Sequence, residues 1–204
     1  MSGDTLSELT VLADRRAGIV STLDPDDIPI GDARQCWAAL DRIVRGAPDR
    51  MMLGVRIGVC SDVHGRHDRL LAVLGAMAAD GVDERWCLGD LVGGEPVTAE
   101  LLGAARQLDL LIAGNHDAWA LGPDRVVVRG RDVFRLSSRA KASRHGIDCW
   151  HGSPRHPVLG FLTDASAAKI LPDRPVGSLG LVGHTHEPAL FAYDGAATRA
   201  VRPV

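Results

Sequence analysis

The chain has 204 residues, of which 46% are hydrophobic and 24% charged, and its formal net charge is −3. This length accommodates one full domain with a sizeable core and a modest appendage. The weak negative charge predicts no basic surface for nucleic acid or an anionic membrane, and no apolar run approaches the ~20 residues that span a bilayer.

Residues 1–50 differ from the rest of the chain and predict a helical extension. Apolar residues recur at helical spacing from Leu6 to Leu23. A second helix begins after Asp32, a suitable N-cap that has Gln35 three residues later, and Gly46 is placed to end it. We therefore assign residues 1–50 to an N-terminal helical extension that packs on a main domain of residues 51–204.

From residue 52 the pattern changes to alternating strands and helices. Buried strands are predicted at residues 53–60, 85–88 and 110–113. Helices are predicted between them, one over residues 70–78 and one over residues 96–108, with Pro96 in the first turn of the latter. This alternation indicates an α/β architecture, in which functional side chains follow the carboxyl ends of the strands.

The second half of the chain is richer in predicted strands. They cover residues 125–128, Ile147–Trp150 and Leu179–Val182, with a loop-rich stretch at residues 153–178. Leu190–Tyr193 and Thr198–Val201 flank Asp194-Gly195 and predict a closing hairpin.

The four cysteines and the N-terminus bear on the cellular compartment. Cys36, Cys60, Cys87 and Cys149 show no paired spacing, which favours free thiols in a reducing compartment. Residues 1–10 are polar and lack the basic start and apolar core of a secretory signal. We expect a cytoplasmic protein.

Five polar blocks contain most of the metal-binding chemistry of the sequence. Each contains carboxylate, carboxamide or imidazole groups and lies beside small residues, and the first three follow apolar runs. Singly, such blocks are more often solvated turns than ligands, but their joint occurrence in this order predicts a two-metal hydrolytic site. The blocks are Ser61-Asp62-Val63-His64-Gly65, Gly89-Asp90-Leu91-Val92-Gly93, Gly114-Asn115-His116-Asp117, His151-Gly152 and Gly183-His184-Thr185-His186.

The spacing within the blocks suits divalent cations. Asp62 and His64 are two residues apart, so at a strand end both side chains can reach one cation. His184 and His186 have the same spacing and can serve one cation or two neighbouring ones. The carboxylate of Asp90 can bridge two metals. No cysteine lies among these ligands, which argues against a structural zinc site.

With these motifs, the chain resembles the calcineurin-like metallophosphoesterase superfamily, whose pattern is D-x-H, G-D, G-N-H-[DE], H and G-H-x-H. The resemblance covers about residues 55–193 and is closest to small bacterial phosphoesterases. Protein Ser/Thr phosphatases and diadenosine tetraphosphatases of the superfamily typically have an Asp-Arg pair and G-N-H-E, whereas this chain has Gly93-Gly94 and Asp117. Nucleases of the superfamily usually have a second aspartate at the position of Gly93.

The resemblance implies a fold and two overlapping ligand sets. The fold is a four-layer αββα sandwich, in which two mixed sheets are flanked by helices. Two divalent metal ions are implied, with Asp90 shared between them. The first ion would be held by Asp62, His64, Asp90 and His186. The second would be held by Asp90, Asn115, His151 and His184.

The resemblance also implies a mechanism. His116 would lie near the leaving group, as a general acid or a phosphate contact. A hydroxide bridging the metals would attack phosphorus in line. The oxygen and nitrogen ligands suit manganese, iron, zinc or nickel, of which we expect manganese.

We therefore expect a dinuclear metal-dependent phosphoesterase that acts on phosphodiesters or small phosphoesters. A protein or nucleotide phosphomonoesterase is the alternative enzyme. A metal-binding scaffold with weak catalysis is the alternative of another class, but the presence of every ligand position and of His116 argues against it. The sequence ends at Val204 without the N-P-G-S-like segment usual in the family, which predicts a shortened C-terminal sheet edge.

Three residues near the blocks admit two interpretations. Arg155 and His156 follow the His151 block and could contact phosphate, although solvated loop charges are the favoured interpretation. Trp119 could form a wall of the substrate site or belong to the core.

Overall fold

Three parallel strands form the first sheet, in the order β1 (Ile57–Cys60), β2 (Glu84–Cys87) and β3 (Leu110–Leu111). Every residue of β1 is buried, which explains why this strand is a continuous apolar run instead of an alternating one. The structure is a computed structural model that describes residues 55–120, 127–129, 132–134 and 139–202.

Two helices cover one face of this sheet, α1 (His67–Ala79) and α2 (Ala99–Ala105). The buried residues of α1 recur at helical spacing, as an amphipathic helix requires. Gly58 of β1 faces Met77 of α1, where a Cβ on residue 58 would come within 2.7 Å of the Met77 Cγ. The glycine therefore allows the helix to approach the strand closely.

A second sheet packs on the other face of the first. It contains β6 (Lys141–Arg144), β7 (Ile147–Trp150) and β8 (Leu179–Val182), with β6 antiparallel and β8 parallel to β7. His145 and Gly146 form the tight turn between β6 and β7 with φ angles of 53° and 75°, as a type I′ hairpin requires. The apolar core between the sheets includes Ile57, Val59, Trp86, Leu88, Ile112, Cys149 and Leu181.

The remaining elements are short. They are α3 (Asn115–Ala120), the hairpin of β4 (Val127–Arg129) and β5 (Asp132–Phe134), α4 (Asp164–Ile170) and the hairpin of β9 (Leu190–Tyr193) and β10 (Thr198–Val201). After α4, Arg174 pairs with Asp148 at 2.6 Å and lies 4.9 Å above the Trp150 ring. The mixed sheets and the helices agree with the expected αββα fold class, and the closing hairpin lies where it was predicted.

Two predictions about secondary structure are wrong. The second helix begins at Ala99, after the N-cap Thr98, and not at Pro96. The reason is a tertiary contact. The Glu95 N–H donates hydrogen bonds to the carbonyl oxygens of His64 and Gly93, which holds this segment against the first polar loop. The loop-rich stretch at residues 153–178 contains α4, which starts with a Thr163–Ser166 capping box.

Some predictions lie outside the described residues. These include both helices of residues 1–50 and the domain boundary near residue 50, which therefore stay predictions. Among the residues that the structure describes, no helix has both the length and the apolar content of a membrane span.

Candidate metal centre

The structure brings all five polar blocks together. They follow the carboxyl ends of β1, β2, β3, β7 and β8, which meet at one edge of the two sheets. Three groups of side chains have ligand atoms within 4.8 Å of one another. The groups are Asp62 with His64 and His186, His64 with Asp90 and His116, and Asp90 with His151 and His184. Asn115 joins them through its Oδ1, 3.1 Å from His151 Nε2.

The backbone around these side chains is strained. Asp62, His64, Asp90, His184 and His186 all have left-handed φ angles between 50° and 69°. Non-glycine residues rarely adopt this conformation, which costs about 1–2 kcal/mol each. Such strain persists only where neighbouring structure enforces it, and it clusters at functional sites.

Hydrogen bonds between the loops enforce this conformation. The Asp62 N–H donates to the Gly89 carbonyl at 2.9 Å, and the His64 N–H donates to the Asp90 carbonyl at 2.8 Å. Asp117 links this second loop to the loop after β3, because its buried carboxylate accepts the Val92 N–H at 3.0 Å and the Gly114 N–H at 2.9 Å. The ligand-bearing loops therefore form one interlocked unit.

The first ligand group has nitrogen and oxygen atoms that face each other. His64 Nε2 lies 3.1 Å from His186 Nε2. Asp62 Oδ1 lies 3.3 Å from His186 Nε2 and 3.9 Å from His64 Nε2. Three electron-pair donors thus converge on one small volume, which suits a cation.

The second ligand group shows the same convergence around His151. The His151 Nδ1 lies 2.9 Å from the Leu88 carbonyl oxygen, which can only accept, so Nδ1 is the donor. In the neutral ring, Nε2 then presents a lone pair toward Asn115 Oδ1 and toward Asp90 Oδ2, which is 3.4 Å away. A backbone carbonyl that fixes the tautomer in this way is a usual support for a metal-bound histidine.

The electrostatic balance of the cluster divides the histidines into two pairs. Burial lowers the pKa of both His64 and His184, which favours their neutral, metal-binding form. The adjacent Asp62 carboxylate raises the pKa of His186. Burial also opposes protonation of His151, but Asp90 outweighs it and the pKa of His151 is raised. The raised pKa values show that the carboxylates attract positive charge to this cluster.

Two buried polar atoms support a metal role for these residues. Asp62 Oδ1 and His184 Nε2 are buried and form no hydrogen bond within the described part of the chain. Buried polar atoms nearly always have a partner, and leaving one unsatisfied costs about 1–3 kcal/mol. Because these atoms belong to different ligand groups, cations in the two groups would satisfy both. The residues present therefore fit divalent metal ions.

Residues beside the centre separate into those that face it and those that do not. Arg155 donates to the Lys169 carbonyl and to Asp173, each at 3.1 Å, as the favoured solvated-charge interpretation expects. Trp119 is not a core residue, because 67% of it is exposed, and its ring lies 5.0 Å from the His116 ring.

Sequence reasoning missed two residues of this site. Asp117 enters the sequence analysis only as part of the G-N-H-D motif, and its hydrogen bonds from the Val92 and Gly114 N–H groups cannot be inferred from the motif. Phe161 stacks on His184 with 4.3 Å between ring centroids, and no sequence pattern marks it.

The whole pattern agrees with comparisons to known proteins. The family model for calcineurin-like phosphoesterase matches residues 55–188. The chain is 26% identical over 167 residues to an uncharacterized protein, MJ0912, of Methanocaldococcus jannaschii, covering 71% of this chain and 68% of that protein. It is also similar to the crystal structure of a metallophosphoesterase from Sphaerobacter thermophilus, with a TM-score of 0.51, 28% identity and coverage of 71% and 68% of the two chains. The chain belongs to the calcineurin-like phosphoesterases and is a metal-dependent hydrolase of phosphoric esters.

Proposed function

We propose that this centre binds two divalent cations and hydrolyses phosphodiesters or small phosphoesters. The position of the Asp90 carboxylate is the observation that supports two cations. Asp90 Oδ2 lies 3.4 Å from His151 Nε2 and 3.9 Å from His64 Nε2, between the two ligand groups. Asp90 Oδ1 accepts the His116 N–H at 2.8 Å, so Oδ2 is the oxygen available to both groups.

In this proposal the two ligand sets share Asp90. The first consists of Asp62, His64, Asp90 and His186. The second consists of Asp90, Asn115, His151 and His184. Manganese is the proposed metal, since carboxylate, carboxamide and imidazole ligands suit it, and iron, zinc and nickel are the competitors.

His116 has a separate role in the proposal. Divalent cations, when bound, activate water and offset negative charge on the phosphoryl oxygens. The imidazole of His116 donates a proton to the leaving oxygen as its bond to phosphorus breaks, while the attacking water gives up a proton to solvent and its oxygen forms the new bond to phosphorus. The hydrogen bond from its backbone N–H to Asp90 Oδ1 fixes the position of His116. The centroid of its ring lies 4.8 Å from that of the His64 ring.

The substrate and compartment in the proposal follow from charge and thiol state. The chain has a net charge of −3, so bound cations would be the local attraction for an anionic phosphoester. Cys60, Cys87 and Cys149 are free and buried, which supports a reducing compartment such as the cytoplasm.

Paired variants test the metal centre. Asp90→Asn keeps the acceptor for the His116 N–H but removes the charge, and His151→Ala removes a ligand of the second group. We expect both to lose metal and at least 100-fold in manganese-dependent hydrolysis of bis(p-nitrophenyl) phosphate, about 2.7 kcal/mol in transition-state free energy. His67→Ala is the control, because His67 belongs to no candidate ligand group. Full activity in both variants would refute the proposal.

The preference for diesters needs a second measurement. We expect kcat/KM for bis(p-nitrophenyl) phosphate to exceed that for p-nitrophenyl phosphate at equal manganese concentration. The opposite order would favour the alternative of a phosphomonoesterase. Equal metal content in both assays, measured by atomic emission, excludes a difference in loading as the cause.

A further inference from the structure

An exposed phenylalanine lies directly against the candidate metal centre. Phe161 stacks on His184 with a centroid distance of 4.3 Å and an interplanar angle of 29°, yet 56% of the residue is exposed. A large apolar ring left open to solvent beside polar ligands is typical of a ligand-binding wall. The ring therefore has one face on His184 and other surface available to a bound molecule.

The loop that contains Phe161 is held firmly. The Gly160 N–H donates to the His156 carbonyl at 2.9 Å, and Ser166 Oγ donates to the Phe161 carbonyl at 3.0 Å. A Cβ on Gly160 would lie 2.7 Å from the His156 Cβ, so only glycine permits this fold of the loop. The backbone that bears the Phe161 ring is thus held in place by contacts within the loop.

The ring lies on a defined side of the centre. His184 belongs to the group with Asp90 and His151, whereas His116 belongs to the group with Asp90 and His64. His116, the proposed proton donor to the leaving oxygen, and Phe161 therefore adjoin different ligand groups, which share Asp90. Because His116 serves the leaving oxygen in the proposed function, the part of the substrate near Phe161 is assigned to the ester group that stays on phosphorus.

We infer that Phe161 is a specificity-determining residue that binds a flat ring on the retained ester group of the substrate. This inference rests on the proposed function. Aromatic rings stack on other rings and on nucleobases through their faces, and a small alkyl group offers no such face. The substrate class is thus a phosphodiester whose retained group is an aryl or nucleoside unit.

Esters with one leaving group and different retained groups test the inference. We compare p-nitrophenyl phenyl phosphate with p-nitrophenyl methyl phosphate, using the manganese-loaded protein. In Phe161→Leu, the ratio of kcat/KM for the phenyl over the methyl ester should fall about tenfold, or ~1.4 kcal/mol. Phe161→Trp should keep the ratio. The p-nitrophenyl ester of thymidine 5′-phosphate shows whether a nucleoside or a simple aryl group is preferred.

Two controls separate recognition from structure. Leu159→Ala changes an equally exposed side chain, 58% exposed, in the same loop and should leave the ratio unchanged. Trp119→Leu removes the exposed ring on the His116 side and should also leave the ratio unchanged. An equal loss for both esters in Phe161→Leu would mean that Phe161 only positions His184, and this would overturn the inference.

Binding measured by calorimetry distinguishes failure of the inference from failure of the proposed function. The manganese-loaded protein should bind phenylphosphonate more tightly than methylphosphonate, and Phe161→Leu should remove the difference. If no ester is hydrolysed but this difference is found, the proposed activity fails and the ring-binding site stands. If the two phosphonates bind equally, the inference fails whatever the activity.

Discussion

His116 differs from the other histidines of the centre in how it is held. Its backbone N–H donates to Asp90 Oδ1 at 2.8 Å, so the bond that supports Asp90 does not depend on the imidazole. By contrast, the Nε2 of His184 is buried and without a hydrogen-bond partner in the described residues. Removing the ring of His116 should therefore affect chemistry, and removing that of His184 should affect metal binding.

We predict that His116→Ala lowers kcat about 100- to 10,000-fold, the usual contribution of a general acid, while metal content stays near that of the wild type. The defect should grow as the leaving group becomes more basic, because a poor leaving group needs the proton more. His184→Ala should instead lose metal, as measured by atomic emission. Equal metal loss in both variants would make His116 a ligand, which its contact with His64 and Asp90 also allows.

At the scale of elements, the loops after β2 and β3 meet without space between them. A Cβ at Gly114 would overlap Asp90 Oδ1 and lie 2.5 Å from the Asp90 backbone nitrogen. Gly75, in the middle of α1, is exposed and has no atom within 4 Å of the corresponding Cβ position. The same substitution at these two glycines should therefore have opposite effects.

We predict that Gly114→Ala destabilises the protein by about 1–3 kcal/mol, as overpacking does, and lowers its metal content. Gly75→Ala should stabilise it by about 0.5–1 kcal/mol, because alanine is the better helix former. Urea unfolding of both variants, with metal analysis, measures the difference. A neutral Gly114→Ala would show that the Asp90 loop can move freely.

The elements that were predicted well are those whose local pattern and tertiary role agree. β1 is an apolar run because both of its faces are buried, and α1 has its buried residues at helical spacing. The start of α2 was mispredicted because Glu95 bonds to the loop of His64, a contact 31 residues away in the chain that no local pattern reports. α4 was missed because its capping box uses Ser166 in place of the usual Glu or Gln.

For the whole molecule, the sequence indicated which residues lie together but not their geometry. The motifs contain every side chain of the three candidate ligand groups, although the chain separates Asp62 from His186 by 124 positions. Their left-handed backbone conformation could not be predicted, because the same short sequences of glycine, aspartate and histidine occur in ordinary turns and in strained ligand loops. Phe161 escaped prediction because its contact with His184 depends on how the loop after β7 folds back.

The two sheets are also joined at the ends of the strands remote from the metal centre. Glu84, the first residue of β2, accepts hydrogen bonds from Trp86 Nε1 at 2.8 Å and from Arg144 Nη2 at 2.9 Å. His145 Nε2, in the turn between β6 and β7, lies 2.9 Å from the same carboxylate. The side chain of Glu84 is only 15% exposed, so these contacts are partly shielded from water. Glu84 thus links the first sheet to the second.

This link predicts a pH-dependent contribution to stability. Burial raises the pKa of Glu84, but the hydrogen bonds from His145 and Trp86 and the charge of Arg144 outweigh it, so the folded-state pKa is lowered. A lowered folded-state pKa means that the contribution is present above the unfolded pKa, near 4.5, and is lost as the pH falls through the folded value. We predict that Glu84→Gln lowers the free energy of unfolding by about 1–2 kcal/mol at neutral pH.

Urea unfolding at several pH values measures this prediction. The difference between wild type and Glu84→Gln should shrink as the pH falls below about 4.5, because protonation removes the same charge from the wild type. Asp80→Asn, which neutralises an exposed residue at the end of α1, should show little effect at any pH. Metal content should not change in either variant, since Glu84 lies at the start of β2 and Asp90 follows its end. A loss of metal in Glu84→Gln would mean that the packing of the two sheets, and not only the loops, sets the geometry of the centre.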